Sequence, residues 1–182
     1  GANDARLDGF TILDAFSNDI GGGMLNDGTS PTVANCVFLG CYSNGGGGAV
    51  YNRAGAAPVF EDCVFDSNAA GGTGGGAVYH AGNEITFRRC LFRGNAAQIR
   101  GGAVLNAGGA ARGTFDTCIF VKNSAVSGGG GLCNDFGGQA EVTGCLFIEN
   151  SSDSGGGIYS NNNLTLADCR FSRNSAQNGG GI

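Results

Sequence analysis

Gly46-Gly-Gly-Ala-Val-Tyr-Asn52 decides how this chain is read, because the phrase returns as Gly74-Gly-Gly-Ala-Val-Tyr-His80 and, shortened, as Gly101-Gly-Ala-Val-Leu-Asn106. Looser copies begin at Gly21, Gly129, Gly155 and Gly179. A second phrase, typified by Phe60-Glu-Asp-Cys-Val-Phe-Asp-Ser-Asn68, recurs between the copies. Self-similarity at a fixed period marks a repeat architecture, in which each unit buries its apolar face only against its neighbours.

Aligned on the glycine phrase, Met24, Val50, Val78, Val104, Leu132, Ile158 and Ile182 share one column, with a period of 24–28 residues. The second phrase aligns Cys36, Cys63, Cys90, Cys118, Cys145 and Cys169. Two residues later it aligns Phe38, Phe65, Phe92, Phe120, Phe147 and Phe171. Spacing of i and i+2 places Cys and Phe on one face of an extended strand, whereas a helix requires i, i+3 and i+4. Three residues beyond each Phe stands Asn68, Asn95, Asn123, Asn150 or Asn174, and Cys41 takes that place in an earlier copy. Asn tolerates the left-handed conformation, so the Asn columns are expected at corners, stacked along the repeat.

Stacked coils superimpose each column at about 4.8 Å, the spacing of hydrogen-bonded strands. The expected fold is all-β: a single-stranded right-handed parallel β-helix (β-solenoid) of about 6–7 coils of 24–28 residues, with two or three strands per coil. Residues 1–182 read as one domain. The opening Gly1-Ala-Asn-Asp-Ala-Arg6 stands close to a strand rather than in a signal peptide, and Gly179-Gly-Gly-Ile182 stops inside the repeat. An internal piece of a longer chain is therefore expected, or ends that something else covers, including end-to-end association of uncapped coils.

Composition narrows the function classes. Glycine is abundant at 37 residues but proline is only 2, which excludes collagen. With 41% hydrophobic residues, a disordered chain is excluded as well. The net charge of −5 and the lack of a basic cluster argue against a nucleic-acid partner. No apolar run approaches the roughly 18 residues of a membrane-spanning helix.

The pairing of GGA[ILV] with FxxN resembles the repeats of chlamydial polymorphic outer-membrane proteins and related bacterial right-handed β-helix repeat proteins. Gly47-Gly-Ala-Val50, Gly75-Gly-Ala-Val78 and Gly101-Gly-Ala-Val104 match the first motif. Phe65-Asp-Ser-Asn68, Phe92-Arg-Gly-Asn95, Phe120-Val-Lys-Asn123, Phe147-Ile-Glu-Asn150 and Phe171-Ser-Arg-Asn174 match the second. The resemblance implies a secreted or surface-displayed passenger with adhesive or structural work. Such proteins normally also carry a membrane-embedded β-barrel, which these residues do not include.

The candidate chemistry is sparse. Six cysteines in one inward column read as buried free thiols rather than disulfides or zinc ligands, because parallel stacking holds their Cβ atoms too far apart and no CxxC pair occurs. No metal or other cofactor is expected. Cys41 and Cys133 lie off that column. His80, the single histidine, replaces Asn or Ser in its column and reads as a polar corner residue. Asp62, Asp116 and Asp168 precede the cysteine column at a solvent-facing corner, without a convergent pair of carboxylates. Immediately after the aliphatic column come Leu25, Tyr51, Tyr79, Leu105, Cys133 and Tyr159. Alternation puts them outside, together with the small residues Ala49, Ala77 and Ala103. Tyr51, Tyr79, Leu105 and Tyr159 are therefore the candidate contact residues for a carbohydrate or protein partner. The expected function is a non-catalytic, exported structural or adhesive scaffold. The alternative is a polysaccharide-binding or polysaccharide-cleaving β-helix.

Overall fold

The computed structural model describes residues 5–182; Gly1–Asp4, where the reading of the chain's opening falls, lie outside the described residues. From Arg6 onward the chain winds as a right-handed β-solenoid, all-β, with its strands in four parallel sheets. One coil contributes Thr32–Ala34 to the first sheet, Val37–Leu39 to the second, Tyr42–Ser43 to the third and Val50–Arg53 to the fourth. The next coil repeats the order, and register is exact in kind: Val37 pairs with Val64, Phe38 with Phe65, Val50 with Val78. Four strands per coil replace the expected two or three.

Short strands need sharp corners, and single residues in the left-handed conformation supply them. Between the first and second sheets these are Asn35, Asp62, Arg89, Thr117 and Asp168, with φ of 51–54°. Between the second and third they include Ser67, Lys122, Glu149 and Arg173. The corner residue thus precedes Asn68, Asn123, Asn150 and Asn174, which corrects the placement of Asn in the left-handed position. These asparagines point inward instead; Asn68, Asn123 and Asn150 are buried and Asn174, in the last coil, partly so. Asn95 shows why: its Nδ2 donates to Asn123 Oδ1 (2.9 Å) and Phe65 O (2.9 Å), while its Oδ1 accepts from Asn68 N (3.0 Å) and Asn68 Nδ2 (3.0 Å). A fully satisfied amide ladder closes the inside of the corner, where unpaired main-chain groups would each cost about 1–3 kcal/mol.

The interior is aromatic. Phe38, Phe65, Phe92, Phe120, Phe147 and Phe171 stack at 4.6–5.0 Å. A second stack of Phe60, Phe87 and Phe115 runs beside it at 5.1–5.3 Å, meeting the first edge to face. Each cysteine thiol of the inward column donates to a carbonyl of the preceding coil, as from Cys63 to Val33 O at 3.4 Å, and all eight cysteines are free.

The small column is inside, not outside. Ala49, Ala77 and Ala103 are fully buried in the core. Alternation fails there because two successive amides share one acceptor: Ala49 N and Val50 N both donate to Ala77 O at 2.9 Å, and Ala77 N and Val78 N both donate to Ala103 O. Such a bulge turns two neighbouring side chains to the same face. The Phe stack then limits their size. At Gly131 a Cβ would lie 3.0 Å from the Phe147 ring.

Candidate functional site

Three outer surfaces come from this winding. The first is the Tyr/Leu column of the fourth sheet. Tyr51 and Tyr79 stack at 4.7 Å and are half-buried. Leu105 and Cys133, by contrast, are 1% and 0% exposed, forming a small apolar cluster with Ala107, against which Tyr79 and Tyr159 pack. This corrects the exposed stripe: Leu105 is covered and offers no contact. The column lies outside the main core, on the side alternation indicates, but it is covered there. The chain entering the glycine phrase folds back over the column, so a Cβ on Gly46 would lie 3.1 Å from the Tyr79 ring and one on Gly74 would lie 3.0 Å from Leu105. Burial pushes the Tyr51 and Tyr79 hydroxyls above their ordinary pKa. It also raises the Cys133 thiol to about 12, with the Asp135 charge adding and Arg100 opposing. Cys133 is thus an inert thiol at neutral pH.

The second surface was missed in the sequence because it lies between the two columns that define the motif. On the second sheet, Val37, Val64, Leu91, Ile119 and Leu146 stack in register on the outer face, each partly accessible. Any residue between an inward Cys and an inward Phe must point outward, so reading that column would have found it. Charged corner pairs flank it: Asp62 with Arg89 on one side, Asp66 with Arg93 on the other.

The third surface is on the first sheet, where Glu84–Arg88, Arg112–Asp116 and Gln139–Thr143 are five residues long instead of three. The extra length places Glu84, Arg112 and Gln139 in register on the outer face, and Thr86, Thr114, Glu141 and Thr165 beside them. Together they line a groove of about 280 Å³.

His80 occupies the Asn column but not a corner: it lies in Val78–His80, in register with Asn52 and Asn106, and is fully buried. Elsewhere this inward column is a ladder, from Asn26 Nδ2 to Asn52 Oδ1 at 2.7 Å and from Asn106 Nδ2 to Asn134 Oδ1 at 2.8 Å. At His80 it breaks. Asn52 Nδ2, both imidazole nitrogens and Asn106 Oδ1 have no hydrogen-bond partner. Burial lowers the His80 pKa to about 4; the nearby Asn83 backbone opposes this without reaching hydrogen-bond geometry. The unfolded chain takes up this proton near pH 6.5 and the folded chain only near 4. Stability from this site is therefore complete above 6.5 and falls as pH drops toward 4, by about 3 kcal/mol in all. His80→Asn is expected to restore the ladder, add about 1–3 kcal/mol at neutral pH and remove this slope. Denaturation of both proteins across that pH range checks it, and equal slopes would contradict it.

Asp62 and Asp168 stand at the solvent-facing corner as expected, and Asp116 just before it. The Arg89 guanidinium, bound to Asp62 through both oxygens, holds that carboxyl below the usual range. Among the described residues no group of three or more His, Cys, Asp or Glu side chains is arranged to hold a metal ion.

A family model described as a right-handed beta helix region matches residues 14–112, more than half of the 182. The chain belongs to the right-handed β-helix family. A second model, the Chlamydia polymorphic membrane protein repeat, matches residues 144–161, which hold Phe147-Ile-Glu-Asn150 and Gly155-Gly-Gly-Ile158. No curated protein and no solved structure matches the chain. Within this β-helix no described helix is long and apolar enough to cross a membrane.

Proposed function

We propose that this β-helix is a non-catalytic, exported scaffold of structural or adhesive kind, a stiff rod that presents its long faces to partners at a cell surface. The observation that carries the reading is the continuity of two of the inner ladders. The Asn68-to-Asn174 amides and the Phe38-to-Phe171 rings run unbroken from coil to coil. Satisfied ladders of this kind resist bending, because any hinge between coils would strand several buried polar groups at once. The match to a polymorphic membrane protein repeat supports a location at the surface. The aliphatic column of the second sheet and the Tyr51–Tyr79 pair supply apolar contact area of the sort that marks partner surfaces.

Beads coated with the purified chain are expected to adhere to cells, and Leu91→Asp with Ile119→Asp to abolish adhesion while leaving the denaturation midpoint nearly unchanged. Release of reducing ends from a polysaccharide, lost on mutation of a surface acid, would overturn the scaffold reading.

A further inference from the structure

We propose that the outer face of the second sheet binds a second copy of this chain, the two rods lying face to face and antiparallel about a two-fold axis. This rests on the reading of that face as a partner surface and names the partner. Each strand of the sheet buries its central Phe and turns the residues on either side outward, so two outward columns run along the rod. Ahead of the Phe lies the aliphatic column through Leu91 and Ile119. Behind it stand Leu13, Leu39, Asp66, Arg93, Val121 and Ile148, also in register. Between Thr11 and Ile148 both columns are aliphatic except at Thr11, Asp66 and Arg93, and each aliphatic member is accessible, Leu13 by 58%. The first sheet, by contrast, turns out Thr86, Arg88, Thr114 and Asp116. A contiguous apolar face bounded by polar ones marks a contact surface.

Charge selects the second copy. Midway along the face, acids stand in one coil and arginines in the next: Asp66 with Arg93 within it, Asp62 with Arg89 at its edge, Glu61 with Arg88 beyond the edge. A two-fold axis parallel to the strands and passing between these coils exchanges the two signs. Asp66 then faces the partner's Arg93, and Arg93 the partner's Asp66, as four alternating charges at the centre. The same operation sets Val64 against the partner's Leu91 and Val37 against the partner's Ile119. In the other column it sets Leu39 against the partner's Val121 and Leu13 against the partner's Ile148. Apolar surface therefore meets apolar surface on both sides of the charged centre. An axis along the rod would instead press Val64 onto the partner's Asp66 and Leu91 onto the partner's Arg93, stripping water from charges without pairing them. An isologous contact needs a surface complementary to itself, and the antiparallel arrangement meets that condition.

The central charges can serve both copies at once. The Arg93 side chain is 57% exposed although it already pairs with Asp66 of its own chain. Its guanidinium has five N–H donors, so donors remain for the partner's Asp66. A carboxylate has about four acceptor positions, and Asp66 uses one for Ser67 Oγ at 3.0 Å and another for Arg93. About six coils spaced at about 4.8 Å, and a breadth of about 17 Å between corner residues, give about 500 Å² on each copy. The total of about 1,000 Å² lies at the low end for a specific contact. The expected species is a reversible dimer.

The test is sedimentation velocity of the intact chain from about 1 μM to about 1 mM. A monomer–dimer equilibrium is expected. Asp66→Arg and Arg93→Asp should each raise the dissociation constant about tenfold or more, because like charges then meet twice at the centre. An equimolar mixture of the two variants should recover the wild-type constant, since every acid of one then faces an arginine of the other. Ile119→Asp should weaken the dimer and Thr114→Asp, on the first sheet, should leave it unchanged. A monomer at every concentration, a dimer that both folded charge variants leave intact, or a mixture no tighter than its components would each overturn the proposal. So would growth into long chains, which places the contact at the rod ends. Should a charge variant fail to fold, Ile119→Asp decides: an unchanged dissociation constant overturns the proposal. A monomer whose coated beads still lose adhesion on Leu91→Asp with Ile119→Asp would overturn the second copy as partner and leave the scaffold reading standing. A dimer weakened as expected, on beads that do not adhere, would uphold the second copy and count against adhesion.

Discussion

Gly76→Ala is expected to lower the free energy of unfolding by about 4 kcal/mol or more, among the largest effects of any single substitution. Gly76 does not need a positive φ; it needs the absence of a side chain. A Cβ there would lie 2.5 Å from Ala96 O and still nearer to Gly102 O. Both atoms belong to main chain held in parallel pairing, so neither can move aside without breaking the third sheet or the glycine corner of the next coil. The preceding Gly75, at φ of 66°, makes the turn that brings these backbones together. Urea titration should show a lower midpoint. Gly109→Ala is the control: a Cβ there meets nothing within 4 Å, so its stability should stay the same or rise by up to about 1 kcal/mol. Equal behaviour of the two variants would contradict the close approach of backbones at Gly76.

Phe92→Ala should cost about 3–5 kcal/mol, the usual range for emptying a core aromatic site. Phe92 stacks on Phe65 at 4.9 Å and Phe120 at 4.7 Å, and meets Phe87 edge to face at 5.2 Å. Removing it opens a gap in the first aromatic stack midway along the array and takes an edge contact from the second. Because each coil is stabilised chiefly by its nearest neighbours, such a gap also weakens the coupling between the two halves. The unfolding transition should broaden as well as shift. Phe171, which stacks on a single ring, Phe147, and is only partly buried, should cost less when truncated. An unchanged midpoint for Phe92→Ala would contradict the inward Phe column.

Much of this is legible in the sequence alone. The i and i+2 spacing of Cys63 and Phe65 could be read as a strand because period two belongs to no helix, and repetition at 24–28 residues made that strand part of a stack. The inward Val50 and Phe92 columns followed from the same rule. Where local alternation was extended across a bend, the reading failed. Ala49 turned inward because its amide and that of Val50 share the Ala77 carbonyl, a hydrogen-bond choice made by the neighbouring coil. Asn52 and Asn68 turned out to be buried rungs, since the residue bearing the corner's positive φ is a different one, as Ser67 shows.

The candidate surfaces divide along the same line. Parity places Tyr51 and Tyr79 on the outer side, but the covering of Leu105 and Cys133 depends on the chain folding back across the column. The aliphatic column through Leu91 and Ile119 was present in the repeat, in the position between Cys and Phe. The groove around Arg112 was not, because it arises from strands of three neighbouring coils that lengthen together. Repetition by itself determined the solenoid, its core columns and its parallel register, since identical side chains stack only when coils align. Which outward residues meet solvent, which charges remain unpaired and where His80 interrupts a ladder were decided by the tertiary structure, because each depends on what the adjacent coil places within a few ångströms.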